Sequence, residues 1–518
     1  MSAFDAAVAM IPQLIAQHGR WQPEKAALVE GDRSFNWAQF DAATNRVANG
    51  LAQLGLTHGQ RLAVLMSNSI EMALLLFGAG KAGISVVPLN VAVSDAAVAA
   101  MIGDSNAAAI AASDAYCTRI DRLIKAGQLP ATLHRLAVAA PGENWCDLPT
   151  WLSQQSAAAP AAQVSPDTEC NIIYSSGTTG QPKGIVHDHR CRLQWANDMS
   201  IALRYHSGCT TVCSLGLFSN ISWVAMLATL LVGGALVIMP SFSPALLAAT
   251  VRRLRVTHGA FVPVQLARIV EAADFCAADY SSLQTIMSCG SPLAPALKRA
   301  VRDRLGCEVI ELYGLTEGLV TTLAPEDMDA KIESVGRPLP GQRLAIIDAN
   351  DCEVAPGEPG EIVGAGPLVM TGYHNRPEAT REATWERGNG ERWLRTGDIG
   401  RVDSDGFLYI VDRKKDMILS GGQNIYPADI ESVMLQHQDV AEVAVIGIAS
   451  DKWGETPLAL VVARPGATLD LTALIEWTNS RVGRQQRISD VKMLDQLPRN
   501  PNGKVLKREL RRQYAANA

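Results

Sequence analysis

Four Ser/Thr hydroxyls, three glycines and a lysine fall within Tyr174–Gly184, which reads Tyr-Ser-Ser-Gly-Thr-Thr-Gly-Gln-Pro-Lys-Gly. Glycines let main-chain N–H groups approach an anion, hydroxyls add donors, and lysine adds a mobile positive charge. That chemistry suits a polyphosphate. The candidate binders are Ser175, Ser176, Gly177, Thr178, Thr179, Gly180 and Lys183. The spacing is not that of a P-loop, because Lys183 is followed by Gly184 and not by Ser or Thr. Pro182 disfavours a helical residue before it, so no helix is expected to start directly under the phosphates. A plain Ser/Thr/Gly linker is the alternative.

Four further stretches carry groups able to act on such a ligand. Glu311-Leu-Tyr-Gly-Leu-Thr-Glu317 places an aromatic, a hydroxyl and a carboxylate after an apolar strand. A carboxylate near a polyphosphate is a natural Mg²⁺ partner; an ordinary acid at a helix start is the plainer reading of Glu317. Arg395-Thr-Gly-Asp398 sets a carboxylate after a glycine turn, suited to the two hydroxyls of a ribose or simply to closing a β-turn. Asp412-Arg-Lys-Lys-Asp416 is a charge run, usually a solvated face, but it leads into Gly421-Gly422, which leave room for a ligand to pass. Pro498-Arg-Asn-Pro-Asn-Gly-Lys504 presents one lysine on a turn-rich segment, or else is a basic tail.

The elements that must position these groups read as α/β. Arg61–Met66 has a strand pattern, Ser69–Ala82 an apolar helix pattern, and Ser85–Asn90 a strand pattern again. Strand, helix and strand recur through about the first 300 residues, which predicts mostly parallel sheets. The Ala-rich residues 92–115 are expected to be helical, and residues 149–166 a surface connection. From Gly336, short strands such as Arg343–Ile347 and Gly360–Val363 alternate with turns, predicting a small β-rich subdomain. Residues 412–518 are long enough for a separate small α+β domain, so the expected division is 1–411 and 412–518.

At 518 residues, with 48% hydrophobic and 19% charged residues, the chain is globular and large enough for two or three domains. A net charge of −6 gives no pull towards nucleic acid or an anionic membrane surface. Ile221–Pro240 is twenty residues without a charge, long enough to consider a membrane span. Gly233-Gly234 divides it, so a buried helix, a turn and a buried strand fit better. The ten cysteines form no CxxC pair and read as reduced, mostly buried thiols of a cytoplasmic protein. The N-terminus shows no signal pattern.

In order and spacing, these five motifs resemble the adenylate-forming superfamily of acyl- and aryl-CoA synthetases, peptide-synthetase adenylation domains and beetle luciferases. The resemblance spans about residues 30–510. It implies a large N-terminal domain and a small mobile C-terminal domain, with the hinge at Lys415. It further implies that Ser175–Lys183 binds phosphate, that Gly290-Ser291-Pro292 lies against adenine, and that Tyr313 stacks on the base. Thr316 would contact the α-phosphate and Glu317 the Mg²⁺. Asp398 and Arg413 match the ribose contacts. Lys504 matches the lysine that bridges the carboxylate and the α-phosphate. Gly421-Gly422, with Trp453, match the pantetheine channel. The implied substrates and cofactors are a carboxylic acid, ATP, Mg²⁺ and CoA. A homodimer is left open.

Two departures stand out. Many acyl- and aryl-CoA synthetases have Pro-Leu-Phe-His where this chain has Gly216-Leu-Phe-Ser219, and the arginines Arg481, Arg484 and Arg487 stand where a Lys-x-Pro pattern is usual near the CoA 3′-phosphate. The residues expected to line the acid pocket, Phe218, Trp223, Val264 and Leu315, are apolar, favouring an apolar acyl or aryl acid. Ser219, Asn220 and Ser222 either hydrogen-bond a ring substituent or cap the helix that follows. The expected activity is ATP-dependent acid–CoA ligation through an acyl-adenylate. Alternatives are adenylation for a carrier protein, for which no module is expected after Lys504, a luciferase-like oxygenase, and a non-catalytic nucleotide-binding regulator.

Overall fold

The computed structural model describes residues 10–139, 142, 144–175, 182–420, 423–450, 453–484, 486–499 and 503–514. The chain divides into two compact units. The first comprises Met1–Ile332, Pro338–Arg343 and Ala365–Thr384; the second comprises Glu333–Arg337, Leu344–Gly364 and Trp385–Ala518.

Two sheets build the first unit. One runs in the order Gly372–Tyr373, Lys183–Asp188, Glu169–Ser175, Ser85–Pro88, Arg61–Leu65, Ala109–Ala112, His134–Ala137, Cys146–Asp147. From Glu169–Ser175 to Cys146–Asp147 neighbouring strands are parallel, as short apolar runs separated by helices dictate. The Gly372 margin is antiparallel. In the other sheet, Glu308–Leu315, Thr285–Ser288, His258–Phe261, Thr210–Cys213, Ala235–Ile238 and Ala26–Glu30 lie side by side in parallel. Gly318–Leu323 pairs antiparallel with Glu308–Leu315. Each sheet thus switches from parallel to antiparallel where a chemistry-bearing stretch begins.

Helices Ile70–Lys81 and Asn220–Val232 are buried almost all round, which is why their sequences are apolar without a polar stripe. Ser69 caps the first, accepting from the Met72 N–H. Gly233, at φ +69°, ends the second before the buried strand Ala235–Ile238, so the uncharged run is a helix, a turn and a strand. Among the described residues no helix is long and apolar enough to cross a membrane. Phe40, Phe77 and Trp223 meet edge-on or tilted in the core these helices share.

The Ala-rich stretch differs from expectation. A helix covers only Asp95–Ser105, and Asn106, in the left-handed region at φ 48°, stops it. Ala109–Ala112 is then a buried strand between Arg61–Leu65 and His134–Ala137. Burial on both faces of a sheet outweighs alanine's helix preference there. The connection from residue 149 likewise begins inside a short helix, Leu148–Ser153, capped by Asp147.

In the second unit, Arg343–Ile347, Gly360–Ala365, Arg392–Val402 and Thr384–Glu386 form the β-rich sheet, with Leu408–Arg413 paired on Arg392–Val402. A further sheet contains Gln423–Ile425, Ile418–Ser420, Gly454–Ala463 and Val440–Ser450, with Asp490–Met493 parallel to Gly454–Ala463. It buries Ile430, Val445, Val461 and Leu474. The β-rich sheet, expected with the N-terminal domain, groups with this C-terminal segment. Hydrogen bonding runs straight across residue 412: Asp412 Oδ2 accepts from the Ala428 N–H at 3.0 Å.

Candidate functional site

The strands flanking the phosphate stretch pair antiparallel, with Ser175 opposite Lys183. The stretch therefore joins two strands of a hairpin and leads into no helix, as Pro182 predicts. Ser176, Gly177, Thr178, Thr179 and Gly180 lie outside the described residues, as do Gly421 and Gly422.

Lys183 meets two other segments. Its ammonium lies 4.9 Å from the centre of the Tyr373 ring, and the Tyr373 hydroxyl donates to Glu317 Oε1 at 2.9 Å. Burial, and next the Glu317 charge, raise the Tyr373 pKa far above the ordinary value, so the phenol stays a donor. Glu317 lies in the turn between Glu308–Leu315 and Gly318–Leu323, so it starts no helix. Main-chain bonds pin that turn. The Glu317 carbonyl accepts from the Met370 N–H at 2.8 Å, and the Thr316 carbonyl accepts from His187 Nε2 at 2.9 Å. Burial, and secondarily the Arg192 charge, hold the His187 pKa well below 6.5, so its ring is neutral with the proton on the donating Nε2. Gly318, at φ +120°, is required there: a Cβ would stand 2.5 Å from Val369 Cα. The structure thus brings Lys183, Thr316 and Glu317 together. It adds Tyr373 and His187, which the sequence reading missed; the only signal was an aromatic in the turn-rich Thr371–Pro377.

Gly290, Ser291 and Pro292 follow strand Thr285–Ser288, next to the strand bearing Tyr313. Glu311, two residues before Tyr313 and on the same face of that strand, accepts from the Leu293 N–H at 2.9 Å and pairs with buried Lys298 at 2.5 Å. That fixes the 290–293 segment beside Tyr313. Gly290 has φ +94°, and a Cβ there would meet Ile221 Cδ1 at 3.0 Å.

Around the expected acid pocket the polar groups are already engaged. Ser219 Oγ accepts from the Ile221 N–H at 3.3 Å, capping its helix. Asn220 Oδ1 accepts from Arg192 Nη1 at 2.9 Å, and Ser222 Oγ donates to the Leu215 carbonyl at 3.3 Å. The helix-cap alternative holds for Ser219. Phe218 is half-buried, its ring so close over Gly216 that a Cβ would stand 2.1 Å away. Trp223 is fully buried against Phe77 and Arg192, inside the core. Leu315 is half-buried, and Val264 is exposed at the start of helix Pro263–Val270.

A second constellation stands within the second unit. Asp398 and Arg413 are register partners on antiparallel strands, with Arg413 Nε 3.2 Å from the buried Asp398 Oδ1. Lys504 directly precedes Val505, which bridges to Arg499, and the Leu506 N–H donates to the Pro498 carbonyl at 2.8 Å. Burial, then the Arg413 charge, lower the Lys504 pKa to about 7; Lys415 acts the same way, while Asp398 and Asp416 oppose it. Lys415 itself is lowered by burial and by Arg413. Arg511 pairs with Asp416 at 2.6 Å and fixes the helix after Lys504 to the Arg413–Asp416 segment. Trp453 is half-exposed at the tip between Val440–Ser450 and Gly454–Ala463, where Gly454 is opposite Ser420.

Among the described residues no three His, Cys, Asp or Glu side chains gather as a metal cage. All ten cysteines are free, and seven are buried.

Residues 15–374 match the family described as AMP-binding enzyme, and residues 429–504 match the AMP-binding enzyme C-terminal domain. The chain is 34% identical to the long-chain-fatty-acid–CoA ligase FadD13 of Mycobacterium tuberculosis, over 97% of this chain and 98% of that one. It is 32% identical to the indoleacetate–CoA ligase of Aromatoleum aromaticum, over 98% of each. The solved structure of ATP-bound MatB from Rhodopseudomonas palustris superposes with a TM-score of 0.89 at 28% identity, covering 97% of this chain and 99% of that one. With a parallel α/β unit, a smaller C-terminal unit and matches along nearly its whole length, the chain belongs to the AMP-binding enzyme family.

Proposed function

We propose that the protein is an ATP-dependent carboxylic acid–CoA ligase that works through an acyl-adenylate. The observation that carries this reading is the meeting of Lys183, Tyr373 and Glu317 beside Thr316, at the antiparallel margins of both sheets. A cation, a hydroxyl and an oriented carboxylate at the end of a Ser/Thr/Gly stretch suit a triphosphate. The full-length likeness to CoA ligases supplies the reaction class.

In the first step a carboxylate oxygen attacks the α-phosphorus of ATP and pyrophosphate leaves. No protein nucleophile is needed; positioning and charge neutralisation carry the step. Lys183 neutralises phosphate charge, and Lys504 bridges the carboxylate and the α-phosphate, which otherwise repel. In the second step the CoA thiol attacks the acyl carbon and AMP leaves. Asp398 and Arg413 hold the ribose, and Tyr313 lies against adenine. Glu317, a single carboxylate held by Tyr373, would hold Mg²⁺, and the ion would supply charge neutralisation there.

The acid carries an apolar acyl or aryl tail. Ser219, Asn220 and Ser222 spend their hydrogen bonds inside the protein, and Ile221 is the side chain that abuts Gly290. Phe218-Ser219-Asn220 offers no carboxylate for an α-ammonium, so amino acids are poor substrates. The test is a panel of fatty, aryl, arylalkanoic and amino acids with ATP, Mg²⁺ and CoA, read as thioester by mass. Apolar acids should dominate; an amino acid that matches them would overturn this assignment.

A further inference from the structure

We infer that Asp104 is a positioning residue that locks the strands flanking the phosphate stretch to the segment that bears Tyr373, an inference resting on the ligase reading. Asp104 lies in the last turn of helix Asp95–Ser105. A carboxylate there faces the negative end of the helix dipole, so it is disfavoured unless other groups hold it. Four bonds hold it. The Tyr174 hydroxyl donates to Oδ2 at 2.7 Å, and Arg376 Nη2 lies 3.0 Å from Oδ1. The Asp104 carbonyl accepts from His374 Nε2 at 3.1 Å and from Asn375 Nδ2 at 3.2 Å.

These partners occupy defined places. Tyr174 directly precedes Ser175, at the entrance to the phosphate stretch, and His374 directly follows Tyr373. The His374 N–H donates to the Gly184 carbonyl at 2.7 Å, at the exit of the same stretch. Both ends of the stretch are therefore tied to residues 374–376, Gly184 directly and Tyr174 through Asp104. The adjoining Tyr373 holds Glu317 and stacks on Lys183. Burial, and next the bond to Asp104, keep the Tyr174 phenol protonated far above its ordinary pKa. Asp104 thus fixes the spacing between Lys183 and Glu317 without touching ATP.

The test compares wild type with Asp104→Ala, Asp104→Asn and Tyr174→Phe. Two measurements are made: acid-dependent pyrophosphate release, and ATP affinity by equilibrium dialysis without acid. Misplacing reacting groups by about 1 Å costs up to about 100-fold, so Asp104→Ala should lower kcat/KM for ATP by about 10- to 100-fold and weaken ATP binding. The KM for the acid should stay within about twofold of wild type, a split that general loosening would not produce. Asp104→Asn keeps an acceptor for Tyr174 but loses the charge opposite Arg376, and should fall between. Tyr174→Phe removes one leg and stands in if Asp104→Ala does not fold. A folded Asp104→Ala with wild-type ATP affinity and kcat/KM overturns the inference. So does a parallel loss for ATP and acid. Wild type that binds ATP but releases no pyrophosphate with any acid contradicts the ligase reading alone, and the ATP affinities of the variants still decide the role of Asp104.

Discussion

The Tyr373 hydroxyl donates to Glu317 Oε1 at 2.9 Å, tying a turn of one sheet to an edge strand of the other within the larger unit. A hydrogen bond to a charged group contributes about 1.5–3 kcal/mol, so its loss at the reacting phosphates matters more than an average surface contact. Tyr373→Phe keeps the ring over Lys183 and removes only that bond. It should slow acid-dependent ATP–pyrophosphate exchange by about 10-fold, with Tyr373→Leu slower still because the ring contact is lost as well. An unchanged exchange rate in Tyr373→Phe would mean that Glu317 is oriented by other contacts.

Gly318 permits the turn that carries Thr316 and Glu317. At φ +120° a side chain is strained, and its Cβ would collide with the main chain at Leu368 and Val369. Backbone yields less readily than a side-chain tip, so Gly318→Ala should destabilise the protein by about 2–4 kcal/mol and reduce adenylation even where the fold survives. Denaturant unfolding and pyrophosphate release measure the two effects. Gly306→Ala is the control: at φ +66° it caps helix Pro295–Leu305 with open space around it, and it should leave adenylation near wild type.

The role proposed for Lys504 predicts a pH signature. Burial and the Arg413 charge lower its pKa to about 7, so the free enzyme holds an ammonium below that pH and loses it above. Since kcat/KM reports free-enzyme groups, the value for ATP should be level below about pH 7 and fall above it. Lys504→Arg keeps its charge and should remove that limb. Linkage fixes the stability effect. The unfolded lysine titrates near 10.4, so between about pH 7 and 10.4 the unfolded state binds more protons and stability rises with pH. Lys504→Met should flatten that rise. A falling limb that survives in Lys504→Arg would assign it to another group.

Local features were legible in the sequence. The apolar run of Ile70–Lys81, the glycine break in Ile221–Pro240 and the proline after the phosphate stretch each act over a few residues. What escaped depends on contacts far along the chain. Ala109–Ala112 is a strand only because two other strands flank it. Tyr373, His187 and Asp104 gain their roles from partners distant in sequence. Asp398 and Arg413 were read as ribose contacts through the family resemblance alone; that their side chains meet follows from a strand register the sequence does not display. Trp223 shows the converse: an aromatic near a pocket motif was read as lining, yet it is packed among Phe77 and Arg192.

The central claim is that adenylation and thioester formation are separate steps on this chain. The direct measurement is acid-dependent exchange of labelled pyrophosphate into ATP with CoA absent, followed by addition of CoA. The account expects exchange with an apolar carboxylic acid before any CoA is present. On CoA addition, AMP and thioester should then appear in equal amounts. Exchange that requires CoA, or formation of ADP and phosphate in place of AMP and pyrophosphate, would contradict it.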